Sequence, residues 1–273
     1  MKNKFRILIT LIATFILAAF ILSGCSAKSA NSKDGYSEIK DKGFIVVGLD
    51  DTFAPMGFRD EKGEVVGFDV DLAKEVFKRN NLEVKFQPID WSMKETELNT
   101  GNIDAIWNGY TITDERKEKV AFTNPYLENR QVIITLANSS IKSKKDLKDK
   151  IVAAQNESSS VDAMNKEPEV VSSLKNGEII VLDTNNEAFM DLEAGRIDAV
   201  VADEILARYY ISQRGVEKYA VLEDDFGKEE YGIGIRKTDK ELLAAIEKAL
   251  DEMRKDGTAA EISKKWFGDN IIR

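Results

Sequence analysis

Two stretches of twelve residues share one pattern: LNTGNIDAIWNG begins at Leu98 and LEAGRIDAVVAD at Leu192, 94 positions apart. Each reads as the last turn of a helix, a glycine that closes it, an Ile-Asp-Ala entry and a buried strand. Gly101 matches Gly195, Asp104 matches Asp198, and Gly109 matches Asp203. A chain that carries this unit twice is directed toward two domains of one plan. The flanking sequence agrees. Residues 44–49 (FIVVGL), 132–136, 151–154 and 197–202 are short apolar runs with the length and β-branching of strands, and 82–86 alternates like a half-buried strand. Apolar positions 68, 72, 73, 76 and 77 have helical spacing, behind Asp69 and Asp71 in the first turn. Residues 187–193, 242–253 and 261–267 also read as helices. This alternation predicts an α/β chain with open, mostly parallel sheets flanked by helices. In such sheets ligands lie beyond the carboxyl ends of the strands. Asn108-Gly109 and Asp203 stand at those ends, one in each half, so facing domains would share one cleft.

The amino terminus reads as a leader. Lys2, Lys4 and Arg6 precede an apolar run from Ile7 to Leu22, shorter than the roughly 20 residues of a bilayer span. Leu22-Ser23-Gly24-Cys25 then sets small residues before the cysteine, as in a secretory signal. The stretch also resembles a bacterial lipobox, which implies a signal peptide over 1–24 and a lipid on Cys25. Residues 26–42 are polar and poor in large apolar groups, so 25–42 reads as a flexible tether.

Composition narrows the chemistry. Without the leader's three basic residues, the whole-chain charge of −9 becomes about −12, which argues against nucleic acid and against a polybasic membrane patch. One cysteine allows no intrachain disulfide. The absence of histidine removes the commonest general base and the commonest metal ligand. With no P-loop and no GxSxG elbow, only carboxylates, lysines and tyrosines remain for catalysis. No catalytic residue, metal or cofactor is expected.

NGYTITDERK, residues 108–117, is the stretch that points to a ligand. Thr113 can cap a helix whose first turn holds Asp114 and Glu115. Arg116 is a cation near the positive end of that helix, where it is disfavoured unless an anion is close. Its planar fork suits a carboxylate, and Thr111 and Gly109 add a hydroxyl, N–H groups and a carbonyl. The competing reading is an ion pair of Arg116 with Glu115. A second anion-friendly stretch, Gln155-Asn156-Glu157-Ser158-Ser159, joins a strand to a helix. Asp203 supplies the opposite charge, or alternatively caps the helix that follows it. A carboxylate beside an anion socket is what an α-amino acid zwitterion requires. Phe53 and Trp91 lie in loops on the same face and could clamp a side chain. Asp50, at the end of the first strand, could meet a polar or cationic tip.

These residues resemble the bacterial extracellular solute-binding proteins of the polar amino acid type, family 3, which serve ABC importers. The resemblance rests on VVGLDDTFAPMGF (46–58), VVGFDVDLAKEV (65–76), PIDW (88–91), TITDERKEKVAFTNPY (111–126), LEAGRIDAVVAD (192–203), YGIGIRK (231–237) and DGTAAEISKKWFG (256–268). It implies the type II periplasmic-binding-protein (Venus flytrap) fold, with lobe 1 over 43–129 and 229–273 and lobe 2 over 130–228. It implies that Arg116 grips the ligand α-carboxylate, aided by N–H groups at Thr111 and Ser159, with Ser158 beside them in the site. Asp203, the Gly109 carbonyl and the Thr111 hydroxyl would hold the α-ammonium. Phe53 and Trp91 would flank the side chain, and Asp50, Asn108 and Gln155 would help to select it. The family often has glycine before Ser or Thr where this chain has Glu157-Ser158, which weakens the case for Ser158 and Ser159. The implied protein is a monomer, lipid-anchored outside the cell membrane, that binds glutamine, arginine, lysine or histidine. Its partners would be an ABC permease and, through it, an ATPase. A carboxylic-acid dehydratase on the same fold and a tethered amino acid sensor are the alternatives.

Overall fold

The computed structural model describes residues 34–273; the expected signal peptide, Cys25 and the first part of the expected tether lie outside them. The rest of the expected tether is a helix, α1 (Tyr36–Lys42), and that reading is corrected. Gly43 closes the helix at φ +75°, Ile39 is buried in the main core, and Tyr36 donates its hydroxyl to Asn80 Oδ1 at 3.1 Å. Two apolar side chains and a glycine cap were too sparse a signal among the twelve polar and charged residues of 26–42.

The first sheet is built from β1 (Phe44–Leu49), a small patch of β2 (Thr52–Phe53), β3 (Gly57–Arg59) and β4 (Val65–Val66) beside it, then α2 (Phe68–Arg79), β5 (Glu83–Pro88), α3 (Lys94–Thr100), β6 (Ala105–Ile106), α4 (Asp114–Lys119) and β7 (Ala121–Phe122). The second sheet opens with β8 (Leu127–Leu136) and continues through β9 (Val152–Gln155), α5 (Ser159–Asn165), α6 (Pro168–Ser173), β10 (Ile180–Leu182), α7 (Asn185–Glu193), β11 (Ala199–Asp203), α8 (Glu204–Arg214) and β12 (Tyr219–Tyr231). The chain then returns with β13 (Gly234–Ile235) and ends in α9 (Lys240–Asp256) and α10 (Thr258–Phe267).

The strand orders are β5-β1-β6-β13-β7 and β10-β9-β11-β8-β12. In each sheet three parallel strands are followed by antiparallel pairings: β13 against β6 and β7, and β8 against β11 and β12. The sheets are therefore mixed rather than mostly parallel, because the strands laid down as the chain crosses between sheets run against the βαβ units. The sequence echo is a structural one. Gly101 and Gly195 adopt φ +82° and +68° at the ends of α3 and α7. Asp104 then accepts the Val46 N–H at 3.0 Å, and Asp198 accepts the Ile151 N–H at 2.8 Å. Each aspartate ties the start of its strand to the strand beside it.

Apolar stripes hold the helices in place. α2 buries Phe68, Leu72, Ala73, Val76 and Phe77, and α9 buries Leu242, Ile246, Ala249, Leu250 and Met253. A fully buried large side chain contributes about 1.5–3 kcal/mol, against roughly 1–2 kcal/mol per residue of lost backbone freedom. Helices this regular persist only because the stripe is continuous.

The two crossings run side by side. β8 pairs with β12 from Leu127↔Tyr231 to Leu136↔Tyr219, with irregularities around Asp225. Beyond Tyr231 the strands stay in contact: the Thr123 N–H donates to the Ile233 carbonyl at 3.1 Å, and the Tyr126 N–H to the Tyr231 carbonyl at 3.0 Å. Positions 129/130 and 228/229 fall inside this ribbon.

Candidate functional site

Both repeated strands, β6 and β11, end on the face where the two sheets meet. Past β6 the backbone turns at Gly109, with φ +57°. A Cβ there would lie 2.8 Å from the Phe53 ring, so the close approach as well as the dihedral calls for glycine. The Gly109 N–H donates to Asp69 Oδ2 at 2.7 Å, and the Tyr126 hydroxyl donates to the same oxygen at 2.9 Å. Burial pushes Asp69 up to about 7 against the pull of these donors. Its folded value lies above the unfolded one, so the stability it contributes is present at low pH and is lost as pH rises from about 4 to about 7, by up to about 1.4 kcal/mol per unit. The variant Asp69→Asn, which keeps an acceptor but no charge, is expected to flatten the fall in Tm across that window. Thermal melts from pH 4 to 8 check this; parallel wild-type and variant profiles count against it.

Thr113 caps α4, accepting the Arg116 N–H on its Oγ1 at 3.1 Å. Glu115 pairs with Lys119 at 2.8 Å, so the local ion pair with Arg116 does not form. The Arg116 guanidinium is 4 % exposed and lies 4.8 Å from the Tyr110 ring centroid. It donates to the Thr111 carbonyl at 3.0 Å and, across the gap, to the Glu157 carbonyl at 3.2 Å. Lys94, buried on α3, donates to the same Glu157 carbonyl at 3.1 Å. Burial first, and then the charge of Arg116, pull Lys94 down to about 8. Glu157 holds φ +54°, a conformation that costs a non-glycine residue on the order of 1 kcal/mol. The backbone geometry suited to glycine is kept despite the substitution, and its carbonyl faces two cations.

Asp203 ends β11, 5 % exposed, and makes no side-chain cap to α8. Its Oδ1 accepts from Asn129 Nδ2 at 2.5 Å, Gln131 Nε2 at 2.9 Å and the Tyr231 hydroxyl at 2.6 Å. Burial, followed by the charge of Glu229, raises its carboxyl well above the ordinary range. Thr111 joins this group to the other side. Its Oγ1 lies 3.0 Å from Ser159 Oγ and donates to Glu229 Oε1 at 3.0 Å.

A second cluster forms at the other end. Asp50 Oδ1 accepts from the Thr52 N–H and hydroxyl at 2.8 and 2.7 Å, and Oδ2 accepts from Gln155 Nε2 at 2.7 Å. Burial raises the Asp50 carboxyl while these donors oppose it. Asn108 Oδ1 accepts the Asp50 N–H at 3.0 Å. Asn185 Nδ2 donates to Gln155 Oε1 at 2.8 Å. Among the described residues, Asn108 Nδ2 and Ser158 Oγ are buried side-chain atoms with no partner.

The structure therefore brings Asp50, Asn108 and Gln155 together, and Thr111, Ser159 and Asp203 together, with Arg116 beside Thr111 and Phe53 over Gly109. Trp91 is set in a core cluster instead, edge-on to Tyr110 at 5.7 Å, with Lys94 Nζ 5.2 Å from its ring. Ser158 occupies the position before α5 without capping it. Asn129, Gln131, Glu229, Tyr231, Lys94 and Asn185 were missed. A signal existed for four of them. Asn129 and Gln131, like Glu229 and Tyr231, are two apart on a strand and so share a face. The first pair lies in the polar stretch Glu128-Asn129-Arg130-Gln131, just before the apolar run 132–136, so its shared face was hard to tell from a solvated edge.

The sequence profile of bacterial extracellular solute-binding proteins, family 3, matches residues 45–269. The chain is 30% identical over 260 residues to the L-cystine-binding protein TcyJ of Escherichia coli, covering 94% of this chain and 95% of that one. A histidine-bound substrate-binding protein of an ABC uptake transporter from Streptococcus pneumoniae superposes with TM-score 0.87 at 41% identity, over 89% of this chain and 99% of that one. An ancestral arginine-binding protein bound to glutamine superposes with TM-score 0.76 at 42% identity, over 83% and 99% of the two chains. Their shared architecture is the type II periplasmic-binding-protein fold, two α/β lobes with a cleft between.

Proposed function

This chain belongs to the bacterial extracellular solute-binding proteins, family 3, and on that premise we propose that it captures a polar L-amino acid for an ABC importer by closing its two lobes. Its family role is binding rather than catalysis, which sets the dehydratase reading aside. One observation carries the proposal: a buried guanidinium, Arg116, and a buried carboxylate, Asp203, stand on opposite sides of the gap around one polar group, in which Thr111 takes the guanidinium on its carbonyl and meets Ser159 with its hydroxyl, and Gln131 joins Ser159 to Asp203. The relatives named above bind cystine, histidine and glutamine, which have only the α-ammonium and α-carboxylate in common. Arg116 and Asp203 fit that constant part, with Thr111, Ser159 and the Gly109 carbonyl beside them.

Desolvating a zwitterion costs several kcal/mol per charge. Neither lobe alone offers both partners, so the offset is complete only when the lobes meet, and the ligand shifts the population toward closure. Contacts already spanning the gap, Gln155 to Asp50 and Arg116 and Lys94 to Glu157, add to the closed state. The side-chain end is lined by Asp50, Asn108 and Gln155, with Phe53 as its aromatic wall. Its carboxylate favours donors, hence arginine, lysine, histidine or glutamine. Lobe 1 spans 43–129 and 229–273, and lobe 2 spans 130–228.

A thermal-shift screen of the twenty amino acids tests this reading. A ligand at a hundred times its Kd stabilises the native state by about 2.7 kcal/mol, a rise of several degrees in Tm. The four polar amino acids are expected to stand out over alanine and valine; no shift with any of the twenty contradicts the proposal. Among the described residues no helix is long and apolar enough to cross a membrane. Retention at the cell surface is assigned to a lipid on Cys25, on the pattern of Leu22-Ser23-Gly24-Cys25. The variant Cys25→Ser is expected to move the protein from the membrane fraction to the soluble extracytoplasmic fraction. Fractionation followed by blotting checks this, and an unchanged distribution argues for another anchor.

A further inference from the structure

Glu229 stands on β12, two residues before Tyr231, on the crossing strand. Its Oε1 accepts from the Thr111 hydroxyl at 3.0 Å, Asn129 Nδ2 at 2.7 Å and Gln131 Nε2 at 2.9 Å. Asn129 Nδ2 and Gln131 Nε2 are also the donors to Asp203 Oδ1. Two carboxylates, Asp203 buried and Glu229 half-buried, are thus drawn onto one pair of amide donors. Each carboxylate offers only lone pairs, so two that face each other are stable with a proton or a cation between them.

We propose that Glu229 is a second carboxylate of the ligand's ammonium subsite, and that a proton held on Asp203 is released when the ammonium arrives. The proposal rests on the reading of Asp203 as an ammonium anchor. The exchange is balanced: the ligand keeps all three ammonium protons, Asp203 gives up its own to solvent, and no covalent bond to carbon, nitrogen or oxygen other than that O–H is broken. The exit exists. A cavity of about 200 Å³ is lined by Thr111, Gln131, Ser159 and Glu229 at its inner end and by the exposed Asp114, Lys166 and Lys228 at its outer end.

The surroundings supply no cation to Asp203 among the described residues. From β12, Glu229 and Tyr231 face Asp203; from β8, only the neutral amides of Asn129 and Gln131 do so. Arg130 lies between these amides in sequence, on the opposite face, and is bonded to Glu204 and Asp225. Arg116 on α4 is committed to the Thr111 and Glu157 carbonyls. The hydroxyls of Thr111 and Ser159 complete the shell. Asp203's raised carboxyl is the titration counterpart of this geometry.

The test is calorimetry at pH 7 with L-glutamine and L-arginine, neither of which titrates near that pH, in buffers of different ionisation enthalpy. Wild-type protein is expected to release about one proton per ligand, so its affinity rises with pH by up to about tenfold per unit. The variant Glu229→Gln, checked for folding by its melting curve, is expected to bind at least tenfold more weakly and to release less than half as much. Infrared spectra of the ligand-free protein are expected to show a protonated carboxyl that Asp203→Asn removes. Binding without proton release, or equal release and affinity in Glu229→Gln, overturns the exchange alone. A complete absence of binding by any amino acid overturns the functional reading and the exchange with it.

Discussion

Replacing Arg116 with alanine is expected to weaken amino acid binding by roughly 3–5 kcal/mol, a loss of about two to four orders of magnitude in affinity. The guanidinium is almost fully buried, and its site offers the ligand carboxylate no second planar fork. Truncation would leave that carboxylate desolvated beside Lys94, a point charge already shared between the Trp91 and Glu157 carbonyls. The variant also strips a donor from the Thr111 and Glu157 carbonyls, so the closed arrangement weakens even without ligand. Arg116→Lys restores charge without the bidentate geometry and is expected to recover only part of the loss. Calorimetry decides: a drop smaller than tenfold in Arg116→Ala would remove Arg116 from the carboxylate role.

The second large effect has two opposite signs. Asp203→Asn is expected to lower ligand affinity by roughly 2–5 kcal/mol, because the ammonium loses its buried counter-charge. The same variant is expected to raise the Tm of the ligand-free protein. Asp203's folded value lies above its unfolded one, so the stability it contributes is present at low pH and lost as pH rises. Removing the charge removes that loss, and the gain in Tm should grow from pH 5 to pH 8. Such opposition between grip and stability is the usual mark of a residue retained for function. A variant that loses Tm and keeps affinity would show a structural aspartate instead.

Much of the fold could be read from local patterns. Helical spacing at 68–77 and 242–253 corresponds to α2 and α9, and FIVVGL to β1, because one continuous buried face writes its period into the sequence. The repeated Gly-x-Ile-Asp-Ala unit was legible because its glycines and aspartates do the same backbone work twice. Helix α1 and the first five residues of β8 were not. Their positions depend on partners far away in sequence, Asn80 and Asp239 for the first and β12 for the second. The same division holds for the site. Arg116 and Asp203 showed themselves by a charge out of place at a helix start or strand end. Glu229 and Gln131 did not, because a polar residue on a strand looks like a solvated edge until the facing strand is known. Lys94 follows the same rule: a lysine opening a helix reads as surface, and only the Glu157 carbonyl opposite makes it internal.

The ribbon of β8 and β12 has a consequence for how such a protein can change. Asn129, Gln131, Glu229 and Tyr231 belong to the joint and also touch the carboxylate group at Asp203. A mutation that adjusts how firmly the ammonium is held at that end therefore also adjusts the stiffness of the pivot, and with it the dwell time of the shut jaws. Grip and tempo are mechanically inseparable here, so a lineage that changes its hold on the cargo through these four side chains inherits a new release rate in the same step.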